Sequence, residues 1–216
     1  MSQDAAGLRG VMTMTRRLVT VLTAAVALAL GCSLAIHAQA PEGDGPRYEQ
    51  GTHLVRPADY REWIFLSSGI GMTYNPLVGT PPAGSPSGPG FGNVFVNPSS
   101  YRSFLQTGHW PDRTVFILEG RRSATKGSIN KGGRFQTDLV GIEAEVKDSR
   151  FPGGWAYFAF GSAPAITDVA RPLAGRDVAT CIACHTKNGA VERTFVQFYP
   201  VLLKVAREKG TLNPGF

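Results

Sequence analysis

The stretch from Cys181 to Ala190, "CIACHTKNGA", sets two thiols and an imidazole close together. Two cysteines separated by two residues can form a disulfide, a redox pair, half of a zinc site or an anchor for haem. The residue after the second cysteine decides among these. His185 completes Cys-Ile-Ala-Cys-His, the attachment spacing for c-type haem. The thiols of Cys181 and Cys184 would add across the two haem vinyl groups, and His185 would ligate the iron from beneath. A helix that places all three on its first turn would bring the imidazole near the porphyrin axis.

The competing chemistries fit less well. A disulfide across so small a loop adds little as a staple, and a redox pair has no use for His185. A zinc site would need a second pair of ligands, which the chain does not supply. Of the three cysteines, Cys32 lies in the N-terminal segment, so Cys181 and Cys184 are the only ones in the rest of the chain. One covalent haem c is therefore expected.

A haem that only passes electrons needs a second strong axial ligand. Outside the N-terminal segment the choices are His53, His109 and Met72, all before the motif. Small electron-transfer cytochromes typically carry a methionine after it. The two histidines fall in polar, turn-like segments, and Met72 reads as core or loop. The sixth position is thus expected to be vacant or water-bound, and an open iron binds small molecules.

The N-terminus explains where such a group could be attached. Arg16 and Arg17 precede "LVTVLTAAVALALGCSLAI" and then "HAQA". A basic start, an apolar run and small residues at Ala38 and Ala40 read as a secretory signal peptide over residues 1–40. "TRRLVT" and "ALGC" match a twin-arginine signal and a lipoprotein box only loosely. The expected product is a periplasmic chain with no membrane span after cleavage. The formal net charge of +6 is spread without a basic run or an aromatic-interleaved strip, which argues against a nucleic-acid partner.

The 216 residues suffice for one domain, residues 41–216, with residues 41–55 expected as a flexible lead-in. "RPADYREWIFLSS" reads as a short helix running into extended chain. Residues 74–91 are too rich in proline and glycine for helix or strand. "NVFVN" is a strand, and "NPSSYRSFLQTG" a short helix with a cap-like serine and a terminating Gly108. Strands are expected at 113–122, 134–148 and 154–161. Within the second, Leu139, Gly141, Glu143 and Glu145 are assigned to one face, and Val140, Ile142 and Val146 to the other. "DVATCIACHTKNG" and the segment from Ala190 to Gly210 have helical spacing, with Pro200 kinking the latter or opening a second helix. The fold class is α+β: an antiparallel β-sheet with helices packed on one face or edge, and a C-terminal haem-attachment helix.

Three stretches, "NVFVNPSSYRSFLQTGHWPDRTVFILE", "GRFQTDLVGIEAEVKDSRFPGGWAYFAF" and "CIACHTKNGAVERTFVQFYPVL", resemble the cytochrome P-460 family, which includes the cytochromes c′-β. The similarity runs from about Tyr60 to Leu203. It implies a mainly β c-haem fold, commonly a homodimer, with a five-coordinate iron held by His185. The family divides at the distal pocket. Its hydroxylamine-oxidising members carry a lysine cross-linked to the haem, and Leu118 stands in that place here. Lys126 and Lys131 lie in the following connection. Glu143 aligns with an acidic residue that accepts protons above the iron, and Gly92 replaces a basic pocket residue.

These departures favour the c′-β type, in which apolar side chains cap the distal face and admit NO or CO. Phe116, Leu118, Phe135 and Phe95 are the candidates for that cap. A periplasmic haem protein that binds or detoxifies NO is the leading expectation. A hydroxylamine or NO oxidoreductase using Glu143 is the first alternative. The second is an electron carrier with a periplasmic redox partner.

Overall fold

The computed structural model describes residues 43–73 and 88–216. The expected signal peptide and most of the proline- and glycine-rich segment after Thr73 lie outside the described residues. Alternation of apolar side chains at period two builds five strands: β3 (Ile64–Ile70), β4 (Phe91–Val96), β5 (Thr114–Ala124), β6 (Phe135–Lys147) and β7 (Trp155–Ser162). They form one antiparallel sheet in the order β3-β4-β5-β6-β7, so each strand pairs with its neighbour in the chain.

Each face of this sheet covers a separate core. Val115 and Ile117 of β5, Ile142 and Val146 of β6, and Phe158 and Phe160 of β7 pack on one face with Leu54 and Ala170. Phe116 and Trp155 turn to the other face and meet Phe104, Val196, Leu202 and Ala206. The helices lie on this second face: α1 (Pro98–Thr107), α2 (Gly175–Asn188) and α3 (Pro200–Lys209). The α+β arrangement read from the sequence is therefore the observed one. None of the described helices is long and apolar enough to cross a membrane.

The opposite core is closed by a small sheet. β1 (Tyr48–Glu49) pairs with β2 (His53–Val55), and β2 with β8 (Val169–Ala170), all antiparallel. The expected lead-in is thus partly strand. Tyr48 anchors it: its hydroxyl donates to Asp148 at 2.9 Å, and Arg150 lies 4.0 Å above its ring. Sequence reading missed this because strands of two or three residues carry almost no periodic signal.

Local boundaries also shifted for physical reasons. The segment before β3 is a single 3-10 turn, Tyr60–Glu62. The N-cap of α1 is Asn97 rather than a serine, with Pro98 at the first helical position. Asn97 spends its carbonyl oxygen on the Val115 N–H at 2.9 Å, while Asp44 accepts from the Ser99 N–H at 2.6 Å. Gly108 ends α1 in the left-handed region at φ 74°. Pro200 opens α3, and the ten residues before it form a turn and a short 3-10 segment rather than helix.

Strand β6 differs from its expected alternation. Gly120 faces Gly141 and Arg121 faces Leu139, so Val140 has no partner on β5 and forms a bulge. Leu139 consequently joins the core beside Ile142, while Val140 is 40% exposed. The two residues exchange the faces assigned from the sequence. Glu143 and Glu145, beyond the bulge, share a face as expected.

Candidate functional site

Helix α2 carries the motif. Cys181, Cys184 and His185 stand at i, i+3 and i+4, which puts them on one face of the helix. They begin at the seventh of its 14 residues rather than in the first turn, because the helix starts at Gly175. No residue of α2 is buried, and its Cys/His face fronts a cavity of about 620 Å³. That size lies within the usual range for ligand sites.

The strand register sorts the sheet side of this cavity into two rows. Val96, Phe116, Glu145 and Tyr157 lie side by side across β4 to β7. One pleat further on, Val94, Leu118, Glu143 and Ala159 make the second row. His185 belongs with the first. Its Nδ1 lies 3.1 Å from Oε1 of Glu145, and its ring is 4.9 Å from that of Tyr157. The Phe195 ring also packs against the imidazole, at 4.5 Å. Phe116 therefore lines the cavity in the His185 row rather than beside Leu118, and its ring also meets Trp110 edge-on at 4.7 Å.

The turn after α2 orients the imidazole. Gly189 closes the helix, its N–H donating to the His185 carbonyl at 3.0 Å. A Cβ at this position would come 2.7 Å from that carbonyl oxygen and 2.9 Å from the Arg193 carbonyl carbon, so the chain can turn here only as glycine. Val191 and Thr194 bridge the turn, and Trp110 Nε1 donates to Thr194 Oγ1 at 2.9 Å. The carbonyl of Arg193 ends up 2.9 Å from His185 Nδ1. An Nδ1–H directed at a backbone carbonyl leaves Nε2 with its lone pair free to ligate a metal.

Charge in this region is largely carboxylate. Burial raises the Glu145 carboxyl above the usual range, and the neighbouring His185 offsets this only in part. Burial also raises the Cys181 thiol, and the Glu143 charge adds to that effect. For His185, burial disfavours the imidazolium, yet its contacts with Glu145 and the Arg193 carbonyl leave it above the ordinary histidine value.

Six residues singled out from the sequence line one cavity: Cys181, Cys184, His185, Phe116, Leu118 and Glu143, with Gly92 at its wall. Two others do not. Phe95 pairs with Ile117 and points into the opposite core, where Tyr60 and Phe65 meet it at 5.5 and 5.6 Å. The cavity position on β4 belongs to Val94 instead. Phe135 sits at the outer end of β6, 39% exposed and over Gly127. Lys126 and Lys131 lie in the same outer connection, away from the cavity lining.

Met72 lines the cavity and is 42% exposed. His53 is in β2, and His109 is 60% exposed, 3.5 Å from Glu192. Sequence reasoning missed Glu145, Tyr157 and Phe195. Glu145 shares a strand face with Glu143 and was open to notice on that ground. The roles of Tyr157 and Phe195 depend on register and on the turn after α2.

The donor set suits a haem. Two thiols and a histidine on one helix face front an apolar cavity, and the imidazole is oriented by its second nitrogen. Cys181 and Cys184 would hold the group, and His185 would supply the axial nitrogen. No curated protein matches the chain. The family model for cytochrome P-460 matches residues 57–196, a span that holds all five strands of the large sheet, both rows of the cavity and the Cys-His helix, and the chain is therefore a haem protein of the cytochrome P-460 family.

Proposed function

We propose that this chain is a periplasmic protein with one haem c, five-coordinate through His185, whose far side binds small ligands such as NO. One observation carries the reading. Leu118 faces the cavity, 39% exposed, and by the resemblance described above it stands in for the cross-linking lysine of the family's hydroxylamine-oxidising members. The neighbouring wall on β4 is Gly92 and Val94, so this part of the lining offers apolar surface and space. When bound, haem supplies an iron able to take a diatomic ligand. His185 would supply the ligating nitrogen, with Tyr157 and Phe195 packed against its imidazole.

The absorption spectrum of the purified ferrous protein tests this. An ordinary high-spin c-haem that takes up NO and CO is the expected result. A low-spin, unreactive iron would refute it and would make the protein an electron carrier.

Glu143 favours a second reading, oxidation of hydroxylamine. It lies in the cavity directly across from Leu118, where a carboxylate can take protons from a bound nitrogen compound. A Soret band shifted to the red, with turnover of hydroxylamine, would select that reading. The signal peptide, a homodimeric state and a redox partner belong to the same proposal. Mass spectrometry of the exported protein and its sedimentation behaviour test the first two.

A further inference from the structure

The cavity carries a charge imbalance that bears on which ligands can enter, an inference that rests on the small-ligand site proposed above. Its described lining includes Glu143 and Glu145 but no lysine or arginine. The two carboxylates are not equivalent. Glu145 lies against His185, its partner at 3.1 Å. Glu143 forms no salt bridge among the described residues and stands in the other row, between Leu118 and Ala159. Its carboxylate lines the same cavity as Cys181 and His185. Ser67, Thr73 and Thr180 add only neutral polar groups to the wall.

We infer that Glu143 makes the site selective by charge: neutral or positively charged nitrogen compounds enter, and small anions such as azide, nitrite and fluoride are turned away. Low-dielectric walls strengthen the effect. Bringing a unit negative charge to within several ångström of an unpaired carboxylate, at an effective dielectric near 20, lowers affinity by about ten- to a hundredfold. NO and CO carry no charge and escape this penalty. Hydroxylamine, neutral near pH 7, escapes it as well. Glu143 is on this reading a specificity-determining residue, whether or not it also moves a proton.

The test is a spectral titration of the ferric holoprotein with azide and, separately, with NO. In Glu143→Gln the azide affinity is expected to rise at least tenfold, and by a larger factor than any change in the NO affinity. Wild-type protein gives a second measurement that needs no variant. Azide binding should tighten as ionic strength rises from about 0.01 M to about 1 M, where the screening length falls from about 30 Å to about 3 Å. Equal azide affinity in both proteins, or no salt dependence in wild type, overturns the inference. An iron that is low-spin and unreactive as isolated would instead refute the small-ligand reading itself, so the two failures are told apart.

Discussion

Leu118 and Glu143 face one another across β5 and β6, the apolar side chain and the carboxylate forming one cross-strand pair at the cavity wall. Directly opposed residues bring their Cβ atoms to about 5 Å. A lysine in place of Leu118 would therefore share this wall with an acidic partner. Leu118→Lys is expected to acquire a bond from its amine nitrogen to a haem ring carbon during turnover with an added two-electron oxidant such as peroxide, the amine and the ring carbon each losing one hydrogen. The red-shifted Soret band and the mass of the haem-bearing peptide report it. A normal c-haem spectrum after turnover would show that position 118 does not reach the haem edge.

Gly92 limits what that wall tolerates. A Cβ built there comes 3.3 Å from Leu118 Cδ1, close enough that Leu118 must give way. Gly92→Ala is expected to slow NO association several-fold and to leave thermal stability within about 1 kcal/mol. Gly92→Ala combined with Leu118→Ala should recover the rate. Stopped-flow NO binding to the wild type and the two variants checks the coupling.

Attachment and ligation should separate cleanly. Cys181→Ala with Cys184→Ala is expected to abolish haem that survives denaturing electrophoresis. His185→Ala should keep the thioethers and lose the ordinary high-spin spectrum. Haem staining and absorption spectra distinguish the two outcomes.

Acid stability should depend on a residue that faces away from the cavity. Glu119 is 2% exposed and accepts from Tyr60, Arg61 at 2.8 Å, Arg121 and Asn93 at 3.2 Å. Burial would raise its pKa, but the bonds from Arg121, Tyr60, Arg61 and Asn93 outweigh that and bring it to about 2. A folded-state pKa below the unfolded one stabilises the fold at higher pH. The contribution is complete above the unfolded value of about 4.5 and is lost as pH falls toward 2. Glu119→Gln is expected to cost on the order of 3 kcal/mol at pH 7, with the gap closing in that acid window. Denaturant titrations of both proteins across pH measure it.

The turn after α2 should tolerate no side chain. Gly189→Ala would drive a Cβ into backbone atoms of His185 and Arg193 that cannot rotate away. The expected cost is about 1–3 kcal/mol, with a shift in the iron–histidine stretching frequency of the ferrous protein. Resonance Raman spectra check the second effect.

The sheet and the motif were legible because period-two alternation and a five-residue spacing are local signals. The Cys181, Cys184 and His185 face of α2, and the shared face of Glu143 and Glu145, follow from such patterns directly. Phe95 and Phe135 were misplaced for want of register. A one-residue shift sends a side chain through the sheet, and nothing near Phe95 in the sequence says whether it or Val94 meets the cavity. The bulge at Val140 hid the true face of Leu139 in the same way. The contacts of His185 with Tyr157 and Phe195 join residues that only the completed sheet and the turn beyond α2 bring together.

Helix α2 buries none of its residues, while both cores are complete without it. A haem joined to Cys181 and Cys184 would therefore add more to its stability than its own packing does. The attachment helix should be the first element to exchange its amide hydrogens when the thioethers are absent, and among the slower ones when they are made. Such a helix would stay within reach of an enzyme that joins haem to thiol, and would become a fixed part of the molecule through the product of that reaction.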